Sequence, residues 1–391
     1  MRAVAAADQG YLKAHERMET ESATRPKLTT TPQGIPITGL LKEELQQHFK
    51  ELGQPAYRVE QLLDWLYEKR VDSFQAMSNL PKALREQLET LFSFSLPEIL
   101  EHTVSNDHTQ KFLLRLTDGN LIETVLVPAT PAKFGKSSER QTLCISSQVG
   151  CAYGCRFCAS GLQGWKRNLK SHEIVEQLLR IEKISGKIVN NIVFMGMGEP
   201  LANFDNMMKA VKILNSPWGL NIGARQITVS TSGLVPQIQA LAEQPLQLRL
   251  AISLHGATDP VRDELMPVNR RYNLDALWGA CHYYQARKKQ KVSFEYILIQ
   301  NVNDSLEQAV QLAKKATQLD CKINLIPYNC VEGLSWERPS TERQHAFLSR
   351  LRQSGVAATI RQEKGHDINA ACGQLRLRRE QMASAPALPL L

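Results

Sequence analysis

Three cysteines within one short run, Gly150-Cys151-Ala152-Tyr153-Gly154-Cys155-Arg156-Phe157-Cys158, constrain this chain more than any other feature. A C-x3-C-x2-C spacing puts three thiols on one loop. Three is one short of the four protein ligands that close a structural zinc site, and no fourth Cys or His stands at zinc-knuckle spacing. A cubane [4Fe–4S] cluster has four irons, so three thiolates leave one iron open to a ligand from outside the protein. An open iron is what a cluster needs to hold a small molecule and reduce it. Two plainer readings stand beside this one: three unrelated buried thiols, and a zinc site that borrows a distant fourth ligand.

The chain has 391 residues, enough for one large α/β unit and a smaller one. No window approaches the roughly 20 apolar residues of a transmembrane helix, and the start of the chain carries no apolar signal-peptide core. Eight cysteines, unevenly clustered in a chain too large to need disulfide staples, point to a reducing cytoplasm. The net charge of +8 suits a polyanionic partner. Four basic clusters carry it: Lys166, Arg167 and Lys170; Arg270 and Arg271; Arg287, Lys288, Lys289 and Lys291; and Arg376, Arg378 and Arg379. Each is either a solvated face or a nucleic-acid contact.

Residues 1–36 lack periodicity and read as a disordered lead-in. Over 37–100 apolar residues recur at three- and four-residue steps, with helices expected over 41–49, 59–67 and 81–92, a small helical accessory domain. The period then drops to two over 111–116 and 121–127, around Thr117-Asp118-Gly119-Asn120. This predicts a β-hairpin extension over 108–136. From residue 142 strands (142–146, 191–195, 226–230, 248–253, 292–299, 322–326, 356–361) alternate with helices (172–184, 204–214, 274–287, 305–319, 342–353). Serial βα units predict an α/β fold with a parallel, partial barrel over 137–375, followed by a basic, flexible tail over 376–391.

In such barrels chemistry gathers at the C-terminal ends of the strands. Cys151, Cys155 and Cys158 follow the first barrel strand, and Gly196-Met197-Gly198-Glu199-Pro200 follows the second. Ser230-Thr231-Ser232-Gly233 ends the third, Ser253-Leu254-His255 the fourth, and Pro327-Tyr328-Asn329 the sixth. Every polar, Gly-rich cluster therefore falls on one rim. Gly198 lets backbone approach a ligand and Glu199 offers an acceptor to an ammonium group. Ser230, Ser253, His255 and Asn329 are each either ligand contacts or loop caps. Glu123 reads, on the residues alone, as an outward charge on a hairpin strand. Cys144, Cys372, Cys281, Cys321 and Cys330 read as buried small hydrophobes.

The motifs QTLCISSQVGCAYGCRFCASG, MGMGEPLAN, VSTSGLVP, AISLHG, LMPVN, NLIPYN and DINAACGQL, in that order over about 108–375, resemble the RlmN/Cfr family of radical-SAM RNA methyltransferases. The Gly-Glu-Pro loop is more similar to the RlmN branch. That resemblance implies a radical-SAM partial (βα)6 barrel holding a [4Fe–4S] cluster on Cys151, Cys155 and Cys158. It also implies S-adenosyl-L-methionine (SAM) contacts at Gly198, Glu199, Ser230, Ser253, Leu254, His255 and Asn329.

The family's reaction methylates C2 of adenine, a carbon too weakly nucleophilic for direct transfer. By motif, Cys372 would first take a methyl group from one SAM. A second SAM would supply a 5′-deoxyadenosyl radical that activates this methyl for attack on the base, giving a protein–RNA thioether. Cys144 would resolve the link through a disulfide with Cys372, and Glu123 would accept a proton. The implied substrates are 23S rRNA, in the peptidyl-transferase region, and adenine 37 of some tRNAs. An electron donor such as flavodoxin, a monomeric state and no membrane contact complete the expectation. A Cfr-like enzyme acting at adenine C8, or a non-catalytic RNA-binding paralogue, is the alternative.

Overall fold

The computed structural model describes residues 34–129, 140–162, 164–331 and 333–370. Cys372, the lead-in before residue 34 and the cluster Arg376, Arg378 and Arg379 lie outside the described residues. Three helices come first: α1 (Lys42–Glu51), α2 (Tyr57–Leu63, continued by a π turn over Asp64–Glu68) and α3 (Lys82–Leu91). Leu45, Phe49, Val59, Leu62, Leu66, Leu84 and Leu88 are all buried. Their three- and four-residue steps are what gives each helix one apolar stripe.

Antiparallel strands follow: β1 (Glu98–Val104), β2 (Gln110–Arg115) and β3 (Leu121–Pro128). Gly119, at φ +83°, and the Asn120 N–H bonded to Asp118 Oδ1 at 3.1 Å make the expected Asp-Gly turn. β3 then pairs antiparallel with β4 (Gln141–Cys144). From β4 onward the pairing within this sheet is parallel, through β5 (Asn191–Phe194), β6 (Ile227–Thr231), β7 (Arg249–Ser253), β8 (Val292–Leu298), β9 (Cys321–Pro327) and β10 (Ala358–Ile360). One ten-stranded sheet results, in the order β10-β9-β8-β7-β6-β5-β4-β3-β2-β1. The crossovers carry α4 (Ser171–Ser185), α5 (Phe204–Asn215), α6 (Val235–Glu243), α7 (Asp259–Leu265), α8 (Leu274–Lys288), α9 (Leu306–Ala316) and α10 (Thr341–Gln353). The parallel, partial barrel expected from the βα series is therefore present.

Several elements were not foreseen. β1 is mostly exposed and shows no apolar alternation, and α6 and α7 are short helices that open on proline. A small ribbon, Gln148–Gly150 against Trp165–Asn168, closes the base of the cysteine loop.

Alternation along β8 shows how the barrel is built. Val292, Phe294, Tyr296 and Leu298 are fully buried against the helices. Phe294 packs on Trp278 with ring centroids 4.5 Å apart, and Tyr296 on Phe347 at 5.4 Å. Ser293, Glu295 and Ile297 face the interior instead. Elsewhere the interior mixes small or polar residues, among them Thr142, Cys144, Thr228, Ala251 and Asn324, with apolar ones such as Val193, Met195 and Ile326. Closed barrels of this class fill their centre with branched apolar side chains. Here small and polar residues leave a cavity of about 410 Å³.

The helical unit docks on α4 through a buried carboxylate. Glu176, with no exposed surface, accepts from Thr38 Oγ1 at 2.6 Å and Ser95 Oγ at 2.8 Å. Its burial pushes the carboxyl up to about 7. Arg70 pairs with Glu182 beside it.

Two of the basic clusters are partly consumed inside the fold. Arg167 holds Glu173 and Asp118, each at 2.7 Å. Lys288 is buried, donating to the Gln244 carbonyl, while Arg287 and Lys291 pair with Glu243 at 3.0 Å and Asp320 at 2.8 Å. A run of charge in sequence is thus only partly a surface for a polyanion.

Candidate active site

The loop from Cys151 to Cys158 is pinned at both ends. Cys151 N–H donates to the Gly164 carbonyl at 2.8 Å, and Arg156 N–H to the Leu265 carbonyl at 3.0 Å. Gly150, at φ +74°, sits so close to Gly164 that a Cβ would lie 2.0 Å from its carbonyl oxygen; only glycine fits there. All three thiols are half-buried and line one cavity of about 150 Å³. Burial pushes the Cys151 thiol up to about 12 and raises Cys155 well above the ordinary range, with the neighbouring Cys158 adding to both. A metal that takes the place of the proton removes that penalty, because a coordinating thiol is deprotonated outright.

Three thiols on the wall of one cavity fit a cubane, since a [4Fe–4S] cluster takes its thiolates on separate irons and three leave one iron open.

The other expected rim residues gather around the same cavity: Gly198, Glu199, Ser230, Ser253 and His255 all line it. Glu199 is buried, which raises its carboxyl, against the pull of its backbone donors. Its Oε2 accepts from Ser232 N–H at 2.7 Å and its Oε1 from Leu201 N–H at 3.1 Å. Gly198 has φ +99°, and a Cβ there would meet Gln148 Cβ at 2.5 Å. The His255 ring sits edge-on to Phe157, centroids 4.6 Å apart. Its Nδ1 accepts from Ile297 N–H at 3.0 Å, so Nε2 carries the proton. Burial, with Arg262 nearby, pushes this imidazole down to about 3, so it is neutral.

Leu254 and Asn329 differ from the rest. Leu254 is buried, with its N–H on the Glu295 carbonyl at 3.0 Å and its own carbonyl taken by Arg262 Nε at 3.0 Å. Asn329 lines the larger cavity instead, and its Oδ1 accepts from Arg338 at 2.9 Å. The two cavities share Met195, Glu295, Ile326 and Arg361 in their walls.

Cys144 also lines the larger cavity, opposite Val125 across the β3–β4 ladder. Glu123, two residues along β3, is on the same face of that strand as Val125. It is buried, not outward, with Lys111 Nζ 3.4 Å from its Oε1. The expectation of a solvated charge fails because Glu123 is on a covered face of the sheet, where Lys111 supplies its counter-charge. The described chain ends at Ala370 in this same cavity wall. Cys281 and Cys321 are buried as expected, while Cys330 is exposed.

Sequence reasoning missed Arg262 on α7. Fully buried, it donates to the carbonyls of Leu254, Ser232 and Ser253 and to Asn269 Oδ1 at 2.8 Å. One guanidinium thereby ties together the loops that end β6 and β7. A lone arginine in a short helix carries no signal of this in sequence; its neighbours Gly233 and Gly256, both tight against it, are the nearest clue.

Comparison with known proteins agrees with this geometry. Residues 145–313 match the radical SAM superfamily, and residues 35–93 match the ribosomal RNA large subunit methyltransferase N-terminal domain. A "Probable dual-specificity RNA methyltransferase RlmN" from Akkermansia muciniphila is 54% identical over 89% of this chain and 97% of its own length. "Probable dual-specificity RNA methyltransferase RlmN 3" from Opitutus terrae is 51% identical over 90% of this chain and 96% of its own. A solved radical SAM methyltransferase from Sphaerobacter thermophilus superposes with a TM-score of 0.82 at 43% identity, covering 88% of this chain and 99% of that one. With a [4Fe–4S] cluster and SAM as its cofactors, the chain belongs to the RlmN family of radical SAM RNA methyltransferases.

Proposed function

We propose that this enzyme methylates C2 of adenine in the peptidyl-transferase region of 23S rRNA and at position 37 of some tRNAs, with Cys372 carrying the methyl group. The relatives' dual-specificity RNA methyltransferase naming supports the RNA substrates. The observation that carries the cysteine-borne route is Cys144 on the wall of the larger cavity beside the SAM pocket, with the chain leading to Cys372 forming part of that wall at Ala370. When bound, the cluster and SAM supply an electrophilic methyl group and a hydrogen-abstracting carbon radical.

The chain's own residues then have separable tasks. Cys151, Cys155 and Cys158 hold the cluster; Gly198 and Glu199, with Ser230, Ser253 and His255, seat SAM; Leu254 and Asn329 complete the expected set. The Cys372 thiolate, a good nucleophile where an aromatic carbon is a poor one, takes the methyl. Glu123 removes the proton from C2 once the methylene carbon is bonded there, and the odd electron of the adduct would leave to the cluster when it is bound. The Cys144 thiolate attacks the Cys372 sulfur, forming a disulfide as the sulfur–methylene bond breaks; the electron pair left on the methylene carbon takes a proton, which completes the methyl group of the released base. An adenine must leave its stack to enter the cavity, so remaining basic surface would grip the RNA backbone. We further propose a cytoplasmic monomer served by an electron donor such as flavodoxin. Among the described residues no helix is long and apolar enough to cross a membrane.

Anaerobically reconstituted protein, incubated with SAM, reductant and unmodified rRNA, is expected to yield 2-methyladenosine by nucleoside mass spectrometry. Finding 8-methyladenosine instead, or no methylated adenosine, overturns the reading.

A further inference from the structure

Glu295 stands in the wall shared by the two cavities. It lies level with Ser253 on β7 and Asn324 on β9 in the sheet register, and it is 5% exposed. Oε1 accepts from Asn324 Nδ2 at 2.7 Å. Among the described residues nothing donates a hydrogen bond to the buried Oε2, which has Arg361 Nη1 3.7 Å away as a counter-charge. A buried carboxylate oxygen left without a donor costs roughly 1–3 kcal/mol or more. The geometry therefore points to a donor that arrives with a ligand. Glu295 borders both cavities, as does Arg361 beside Oε2, while Asn324, which fixes Oε1, lines only the larger one.

We infer that Glu295 is a specificity-determining residue that accepts a hydrogen bond from the 6-amino group of the substrate adenine. This rests on the adenine-methylating function proposed above. In adenine the amino group and C2 flank N1 on one edge, so a base that presents C2 toward the SAM pocket brings its amino group to the boundary between the cavities. A flipped base is read along this same edge by enzymes that extrude their target. The donor is one that a purine without the amino group lacks.

The test compares two RNA hairpins that differ only at the target, adenosine in one and purine riboside in the other. Purine riboside keeps C2–H and lacks the amino group. For the wild-type enzyme, kcat/KM should favour adenosine by about tenfold to a hundredfold, as a hydrogen bond to a charged group gives. Glu295→Gln, which keeps an acceptor but no charge, should show an intermediate ratio. Glu295→Met, of similar size with no acceptor, should bring the ratio close to one while leaving SAM affinity within about twofold.

A purely structural role lowers both substrates equally; a ratio in Glu295→Met as large as in the wild type overturns the assignment. An unchanged ratio with weakened SAM binding overturns it too, placing the contact on the SAM ribose instead. Binding of both hairpins in the absence of SAM repeats the comparison without turnover. Failure of the methylation reading would show as missing 2-methyladenosine, whereas failure of the Glu295 assignment would show as an unmoved ratio.

Discussion

Lys111 Nζ lies 3.4 Å from Glu123 Oε1, across a strand pair in which both side chains are withdrawn from solvent. The same ammonium is 3.5 Å from the Asn369 carbonyl, so one cation joins a buried carboxylate to the segment that leads to Cys372. If Glu123 is the proton acceptor, Glu123→Gln should keep iron content and SAM affinity and slow 2-methyladenosine formation by on the order of a hundredfold or more. Single-turnover assays with quantified iron check this. A rate within about threefold of wild type would remove Glu123 from the chemistry.

The two cysteines outside the cluster loop should fail in different ways. Cys372→Ala has no methyl carrier, so it should retain its cluster and form no product. Cys144→Ala can carry the methyl but cannot free the base, and should leave RNA covalently attached, seen as a shifted band on a denaturing gel. Loss of iron in Cys372→Ala, or free methylated RNA from Cys144→Ala, contradicts the assignment.

Arg262 holds the loops after β6 and β7 with a single buried guanidinium. Arg262→Met removes the donor from several buried carbonyls at once, each worth roughly 1–3 kcal/mol when stranded. Denaturant unfolding should show a loss of about 3 kcal/mol or more, and equilibrium binding should show SAM affinity weakened about tenfold. Arg262→Lys, still charged but without the fork, should recover only part of either.

Glu176 makes stability depend on pH at the contact between the helical unit and α4. Its carboxyl is pushed up to about 7 in the fold, from an ordinary value of 4.5. Between these values the native state keeps a proton that the unfolded chain has released. Its contribution to stability therefore falls as pH rises from about 4.5 to about 7 and is level above that. His172, pushed down from 6.5 to about 4 by burial, acts in the opposite sense between those two values, over most of the same range. Glu176→Gln should cancel only the first effect and gain up to about 3 kcal/mol relative to wild type at pH 8. Thermal unfolding of both proteins at pH 5 and pH 8 measures it; an equal difference at both pH values contradicts it.

The barrel was legible because β5 to β9 carry apolar runs between helices with three- and four-residue periodicity, and the cluster loop because its spacing has few other uses. β1 was not legible: its side chains are largely solvated, so pairing with β2 supplies what its pattern does not. Glu123, Glu295 and Arg262 share one reason for being hidden. A charged residue in a sequence reads as surface, and only the tertiary partners Lys111, Asn324 and the strand-end carbonyls reveal it as interior. Basic runs misled in the opposite direction, since Arg167 and Lys288 serve the fold.

The account depends most on three thiolates leaving one iron for SAM. Electron paramagnetic resonance of the anaerobic, reduced protein with and without SAM examines that iron directly. A [4Fe–4S]⁺ signal whose g-values shift when SAM is added is the predicted result. A signal indifferent to SAM, or protein that carries stoichiometric zinc and no cubane, would contradict it.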